Sequence, residues 1–241
     1  MINKIMTADE AVAGVQDGMT IMVGGFLGTG SPEAIMDALV RKGVKHLTVI
    51  GNDGGLAPGQ PAGEFGGKTS RGIGKLLENH MVDHIIASHI GVNPMINEQV
   101  AEGTLRYTLV PQGTLSEKIR AAADGLGGVL TPTGVGTPME TELDELGREK
   151  KVIEIEGKKY LFEMPLKADY AFIRASVADK FGNYYCSKTT KNFNYVMAGA
   201  ATHTVIAPEK IVEIGEIDPD LFGVAGVLVE AIVEGEEKWQ I

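Results

Sequence analysis

The stretch from Asp17 to Pro32 constrains the fold more than any other part of this sequence. A turn at Asp17-Gly18 precedes a short apolar run, Met19 to Val23, which has the length of a buried strand. Four glycines follow, and Ser31-Pro32 then opens a helical pattern, which predicts Ser31 as the N-cap and Pro32 as the first helical residue. Glycines between a strand and a helix let backbone N–H groups approach an anion. The stretch therefore predicts either an anion-binding loop or a tight turn without a ligand.

Short apolar runs alternate with helical patterns through the first half of the chain. After this opening strand and helix, strands are predicted over 45–51, 83–88 and 106–110, and helices over 1–17, 70–79, 97–102 and 115–123. This alternation predicts an α/β fold with an open, mainly parallel sheet flanked by helices. Ligands of such sheets lie beyond the carboxyl ends of the strands. The polar strand ends at 24–30, 52–55 and 112–113 can therefore converge on one site.

The second half predicts a different local structure. Two alternating segments, 152–156 and 159–163, flank Gly157 and predict a β-hairpin insertion. Further strands are predicted over 169–175 and 202–207. We see neither an internal repeat nor a long linker, so we expect a single domain over 1–241.

Composition excludes several classes of partner. The formal net charge of −10 argues against nucleic acid, which is bound by clustered Lys and Arg. No run of about 18 apolar residues and no basic membrane-binding segment occurs, so we expect neither a transmembrane span nor membrane association. Cys186 is the single cysteine, which excludes an internal disulfide, favours a cytoplasmic location and indicates a packing role for this side chain.

Other familiar sites are poorly supported. His80 and His84 have the spacing of one helix face, but Asp83 begins a predicted strand and no third ligand is near in sequence, so we expect no metal. The order of the glycines is the reverse of the dinucleotide fingerprint, which disfavours a nicotinamide cofactor. The residues alone thus indicate an α/β protein with an anion-friendly loop and no evident nucleophile.

The same opening stretch resembles the first signature of the family I coenzyme A transferases. That signature is an Asp-Gly pair, two free positions, three aliphatic residues, Gly-Gly-Phe, three free positions and Gly-x-Pro, and residues 17–32 match all of it. Further matching runs follow in the family's order: Gly51-Asn52-Asp53, Ser88-His89-Ile90-Gly91, Leu109-Val110-Pro111-Gln112-Gly113-Thr114-Leu115, Leu130-Thr131-Pro132-Thr133-Gly134, Pro165-Leu166-Lys167-Ala168-Asp169 and Lys191-Asn192-Phe193-Asn194. The resemblance covers nearly the whole chain and is greatest to α (A) subunits of the acetate/butyrate–acetoacetate type.

This resemblance implies that the chain is half of an enzyme. The nucleophile of the family is a glutamate in a Ser-Glu-Asn-Gly motif on the β subunit, and this sequence lacks that motif. We therefore expect a β-subunit partner, in an α2β2 assembly, and a reaction through a glutamyl-CoA thioester on that partner. Coenzyme A is then a substrate, and no cofactor is implied.

The resemblance also implies roles for particular residues. Gln112 resembles the glutamine that donates to the oxyanion; the alternative is that Gln112 only caps the following helix. Asn52 and His89 are expected to line the active site, with His89 a wall residue. Asn192 to Asn194 either touch the site or brace a turn. The loop expected to bind CoA consists of Gly24, Gly25, Phe26, Leu27, Gly28, Thr29 and Gly30.

Two other functions remain open from the sequence. One is a transferase α subunit acting on 3-oxoadipate or another 3-oxoacid. The other is a non-catalytic protein that binds an anion or CoA with the same fold.

Overall fold

A computed structural model of the chain describes residues 4–60, 69–221 and 223–235. Within them the strands are β1 (Ile5–Met6), β2 (Thr20–Val23), β3 (Leu47–Ile50), β4 (Val82–Ala87), β5 (Arg106–Leu109), β6 (Val129–Thr131), β7 (Lys151–Ile155), β8 (Lys158–Glu163), β9 (Ala168–Asp179), β10 (Tyr184–Tyr185), β11 (Ala201–Val212) and β12 (Ala231–Val233). The α-helices are α1 (Ala8–Ala11), α2 (Glu33–Lys42), α3 (Ile73–Glu78), α4 (Pro94–Ala101) and α5 (Gln112–Ala123). Short 3₁₀ helices lie at Pro138–Glu140, Lys188–Lys191 and Gly226–Leu228.

The large sheet has the strand order β1-β12-β11-β9-β2-β3-β4-β5, with β10 added antiparallel to β9. All other pairs in this sheet are parallel. The predicted open, mainly parallel sheet flanked by helices is therefore confirmed. The carboxyl ends of β2, β3 and β4 lie side by side, which brings together loops that are distant in sequence.

Both faces of the large sheet are covered, as expected for parallel strands. One core packs the sheet against α2 and α3 through side chains such as Ile35, Leu39 and Leu76. The other packs it against α5 and residues 193–200, with Leu115, Ile119 and Met197 fully buried. The helix α5 is thus fixed on the sheet by its apolar side, which leaves its opposite side for other contacts.

The predicted hairpin insertion is also confirmed, and it is part of a three-stranded antiparallel sheet in the order β6-β8-β7. Buried charges attach this insertion to α5. The Lys118 ammonium on α5 lies 2.8 Å from Glu163 Oε2 of β8 and 3.0 Å from Glu145 Oε2, and all three side chains are buried. Lys150 Nζ adds a contact of 3.2 Å to Glu163 Oε1.

Several predicted helix bounds were wrong. The helix expected over 1–17 is the single turn α1, because Ile5 and Met6 pair with β12 as a strand. The capping box that begins α1 is present, with the Glu10 N–H donating to Thr7 Oγ1 and the Thr7 N–H donating to the Glu10 carboxylate. The helix predicted from 115 begins at Gln112.

Ser31 is not the N-cap that the sequence predicts. The helix α2 begins at Glu33, Pro32 occupies the cap position, and Ser31 contributes its carbonyl, which accepts from the Glu33 N–H at 3.0 Å. Ser31 is instead buried, with its hydroxyl packed against two glycines. A Cβ on Gly25 would lie 2.4 Å from this hydroxyl oxygen, and one on Gly72 would lie 2.7 Å from it. Packing of the loop has therefore displaced the cap.

No helix among the described residues is long and apolar enough to span a bilayer.

Candidate active site

The loop from Gly24 to Gly30 follows β2 and is held by bonds within the chain. Three of its N–H groups donate to other parts of the chain: Gly24 to Phe172 O (2.9 Å), Gly25 to Asn192 Oδ1 (3.2 Å) and Leu27 to Asp53 Oδ2 (2.8 Å). Two more bonds close the loop on itself, from the Phe26 N–H to Thr29 O (2.9 Å) and from the Thr29 N–H to Phe26 O (2.8 Å). Most of the N–H groups of the loop are therefore already bonded within the chain and are not available to an anion.

Two asparagines distant in sequence support the loop. Asn192 Nδ2 donates to Thr29 O at 3.1 Å, and Asn194 Nδ2 donates to Gly30 O at 2.9 Å. Asn194 is fully buried and also accepts from the Arg174 N–H at 3.0 Å. Asn192 and Asn194 therefore do support a turn, as one of the two alternatives predicted, and that turn is the glycine loop.

The same asparagines explain two of the glycines. A Cβ on Gly24 would lie 1.8 Å from Asn194 Oδ1, and one on Gly30 would lie 2.9 Å from Asn194 Nδ2. Gly30 also has a φ of +75°, a conformation that L-residues with side chains rarely adopt. These glycines are therefore required by packing within the chain, independently of any ligand.

Asp53, at the end of β3, joins the second strand end to the loop. Its carboxylate accepts from the Leu27 N–H at 2.8 Å and from the Gly55 N–H at 2.7 Å. Leu27 has a φ of +49°, so this bond holds an unfavourable backbone conformation. Burial raises the pKa of Asp53, and the two N–H donors and nearby His89 oppose that shift.

Gln112, the first residue of α5, reaches the same strand end. Its Nε2 donates to Asn52 Oδ1 at 2.9 Å, and the Ser88 hydroxyl donates to the same oxygen at 2.9 Å. Asn52 is buried, so these bonds fix the Gln112 amide in one orientation. The alternative that Gln112 only caps α5 is wrong, since Pro111 holds the cap position and α5 has no side-chain cap. The second hydrogen of the amide nitrogen can donate to a developing oxyanion.

These elements surround an open cavity of about 520 Å³. Its walls come from the glycine loop, the end of β3, one side of α5 and residues 189–196. The lining residues are Phe26, Asn52, Gln112, Gly113, Ser116, Arg120, Thr189, Asn192, Phe193 and Val196. The three predicted strand ends therefore do converge.

The predicted site residues do not all reach the cavity. Among the loop residues expected to bind CoA, Phe26 is the one that lines it, while Gly24, Gly25, Leu27, Gly28, Thr29 and Gly30 lie outside the lining of the described structure. His89 is also outside the lining; it pairs with Asp53 in a parallel bridge, and its ring centroid lies 6.4 Å from that of Phe26. His89 thus contacts the loop and not the open volume.

Sequence reasoning missed Ser116, Arg120, Thr189 and Val196, whereas Asn192 and Phe193 belong to the segment for which contact with the site was one of two alternatives. Ser116 and Arg120 follow Gln112 at intervals of four residues, a spacing that places them on one side of a helix. Because the helix was predicted to begin after Gln112, this spacing went unused.

The other candidate groups lie outside the cavity. His80 is in a left-handed conformation after α3, whereas His84 is buried in β4, so they do not share a helix face. No cluster of three or more metal-ligating side chains is found among the described residues. Burial raises the pKa of Cys186 to about 12, and its Sγ donates to Arg174 O, in agreement with the predicted packing role.

The chain resembles known proteins over nearly its whole length. Residues 5–235 match the family model for coenzyme A transferase. Over 238 residues the chain is 41% identical to the acetate CoA-transferase subunit alpha of Escherichia coli (strain K12), covering 99% of this chain and 100% of the relative. It is 41% identical over 234 residues to the acetoacetyl-CoA:acetate/butyrate CoA transferase alpha subunit of Clostridium acetobutylicum, covering 97% and 99%.

A solved structure shares the fold. The acyl-CoA transferase YdiF of Escherichia coli O157:H7, in a thioester complex with CoA, superposes with a TM-score of 0.79 at 25% identity. The match covers 96% of this chain but 47% of the YdiF chain, so the present chain corresponds to about half of that protein.

Proposed function

This chain belongs to the coenzyme A transferase family, and we propose that it is the α subunit of a short-chain acyl-CoA:carboxylate CoA-transferase of the acetoacetate/butyrate/acetate type. The observation that carries the proposal is the nearly full-length similarity to two α subunits whose names specify these acids. In this proposal coenzyme A is a substrate, no cofactor takes part, and the enzyme acts in the cytoplasm.

The reactive carboxylate is supplied by a partner β subunit, through a glutamate in a Ser-Glu-Asn-Gly motif, in an α2β2 assembly. One oxygen of the glutamate carboxylate attacks the thioester carbonyl and the C–S bond breaks. This step releases CoA as a thiolate and leaves the acyl group joined to the glutamate as an anhydride. The thiolate then attacks the glutamyl carbonyl and releases the first acid. The acceptor acid reverses these two steps, so covalent catalysis divides one exchange into easier ones.

Gln112 has the role of oxyanion donor in this mechanism. Each attack creates a tetrahedral intermediate with a negative oxygen, which preorganised N–H donors stabilise. The support for Gln112 is its position at the cavity and the bond to Asn52 that orients its amide. The glycine loop would contact CoA mainly through Phe26, since most of its N–H groups already have partners within the chain.

Neither alternative function is favoured. The relatives described above are named for acetate and for acetoacetate/butyrate, which supports short-chain acids over 3-oxoadipate. A non-catalytic binder gains no support from relatives that are themselves transferase subunits.

The function is tested by producing the chain alone and with a partner carrying Ser-Glu-Asn-Gly, and by assaying CoA transfer from acetoacetyl-CoA to acetate and butyrate. We expect activity in the complex alone. Robust transfer by the isolated chain would contradict the half-enzyme assignment, and a complex inactive on every acid would contradict the function itself.

Within that complex, Gln112→Ala should lower kcat by roughly tenfold to a thousandfold, the usual cost of one oxyanion donor. Gln16→Ala is a matched control, since Gln16 is exposed and is not among the residues that line the cavity. Unchanged kcat in the Gln112 variant would remove the amide from the mechanism.

A further inference from the structure

One charged side chain lines the cavity in the described part of the chain. Arg120 is cationic, and the other nine lining residues are neutral. A single positive charge in an open cavity is notable in a chain whose formal net charge is −10. A cleft whose charged lining is of one sign raises the local concentration of ligands of the opposite charge.

The guanidinium of Arg120 is available for a ligand. Its Nε lies 3.2 Å from Glu117 Oε2, an i,i+3 pair in which both side chains are about half exposed. Exposed pairs of this kind are weak and easily exchanged. The pair occupies Nε, and no described residue forms a hydrogen bond with the four N–H donors of the Nη atoms.

Arg120 lies at a defined distance from the reacting end. Gln112, Ser116 and Arg120 follow one another at intervals of four along α5, and all three line the cavity. With a rise of 1.5 Å per residue, the backbone positions of Gln112 and Arg120 are roughly 12 Å apart. Arg120 therefore originates about two helical turns farther along the cavity wall than Gln112.

The cavity is also partly apolar. Phe193 and Val196 line it, with Phe26 contributing from the glycine loop. A cavity lined by apolar side chains together with an amide and a guanidinium fits a partly apolar ligand that carries an anionic group.

Resting on the proposed function, we propose that Arg120 anchors an anionic group of the substrate at the end remote from the thioester. A planar guanidinium binds phosphate and carboxylate oxygens with paired hydrogen bonds. The anion has two sources with the same chemistry: a phosphate of coenzyme A, or the second carboxylate of a dicarboxylic acid.

The test uses the assembled complex and the variant Arg120→Gln with three substrate pairs. These are acetoacetyl-CoA with acetate, acetoacetyl-CoA with succinate, and acetoacetyl-pantetheine, which lacks phosphates, with acetate. If the anion is a phosphate of CoA, we expect the KM for acetoacetyl-CoA to rise roughly 10- to 100-fold, the cost of a charged hydrogen bond, while the KM for acetoacetyl-pantetheine is unchanged. If it is a second carboxylate, the KM for succinate alone should rise by this factor.

Arg41→Gln is the matched control, because Arg41 is a half-exposed arginine paired with Asp9 and lies outside the cavity lining. Arg120→Lys keeps the charge but loses the planar fork, and should raise the affected KM by about three- to tenfold. The lysine variant carries the test if the glutamine variant does not copurify with its partner. KM values within twofold of the wild type for all three pairs would overturn the proposal.

Failure of the proposed function can be distinguished from failure of this inference. If the wild-type complex transfers CoA and the Arg120 variants behave like it, only the anchor is wrong. If the wild-type complex transfers no CoA, calorimetric binding of CoA and of succinate to wild-type and Arg120→Gln complexes decides on the anchor separately, and equal affinities would overturn it.

Discussion

The glycine-loop wall and the α5 wall of the cavity are built in opposite ways. In the loop, backbone N–H groups are bonded to Asn192, Asp53 and other parts of the chain, and side chains fill the space beside its glycines. On α5, Gln112, Ser116 and Arg120 present side chains to the open volume. A Cβ on Gly113 of this helix would meet nothing within 4 Å.

The difference shows where each kind of function can be located. The loop is a fixed backbone shape, since changing almost any part of it breaks a bond or creates a clash. The α5 wall carries side-chain donors that line the cavity, so we expect substitutions there to change binding or reaction more than folding. In the sequence, these glycines indicate a loop that can adapt to a ligand. In the structure, they belong to the more rigid of the two walls.

The largest expected effect compares one glycine from each wall. Gly24→Ala places a methyl group 1.8 Å from Asn194 Oδ1, and Asn194 is buried and bonded on both sides. We expect the free energy of unfolding to fall by about 3 kcal/mol, as for severe overpacking. Gly113→Ala should raise it by about 0.5 kcal/mol, because alanine is the better helix former. Urea denaturation of both variants measures the contrast, and equal stabilities would refute it.

A smaller effect is expected from the carboxylate that holds the loop. Asp53→Ala leaves the Leu27 and Gly55 N–H groups without their acceptor, at a cost of about 2 kcal/mol in unfolding free energy. Asp9→Ala removes an exposed carboxylate paired with Arg41 and should cost less than about 1 kcal/mol. Chemical denaturation is again the measurement. If the two variants are equally stable, the loop is not held by Asp53.

The smallest effect near neutral pH concerns the strand beneath α5. His84 is buried in β4, with its Nε2 2.9 Å from Thr108 Oγ1 of β5; burial, aided by Arg106, lowers its pKa to about 4. The unfolded chain, with a histidine pKa near 6.5, binds a proton that the native state does not, so stability should fall as the pH drops from about 6.5 toward 4.

The variant His84→Gln isolates this contribution. Urea midpoints of the wild type and the variant, measured between pH 7 and pH 4.5, should differ in their pH dependence, with the shallower decline in the variant. Parallel curves would show that His84 does not titrate differently in the two states.

Much of the site was predictable because strand ends can be read from sequence. Glycine and amide residues directly after short apolar runs indicated the ends of β2, β3 and β5, and parallel topology brings such ends together. Gln112 and Asn52 were expected at the site, and they are joined by a hydrogen bond.

The rest depended on contacts that periodicity does not reveal. Asn194 supports Gly30 from 164 positions away, a pairing created by the placement of β9 beside β2. Ser31 has the residue type of an N-cap, but tertiary packing against Gly25 overrode that preference. Arg120 escaped notice because the predicted start of α5 was three residues late.

Lys118 has a consequence for how the insertion can move. The helix that presents Gln112 to the cavity also carries this ammonium, which is buried between Glu145 and Glu163 of the insertion. Separating them would break both of these buried, hydrogen-bonded ion pairs at once, so we expect α5 and the insertion to move as one unit. A subunit that docked against the insertion would then be held in register with the Gln112 amide, because both are carried by the same coupled unit.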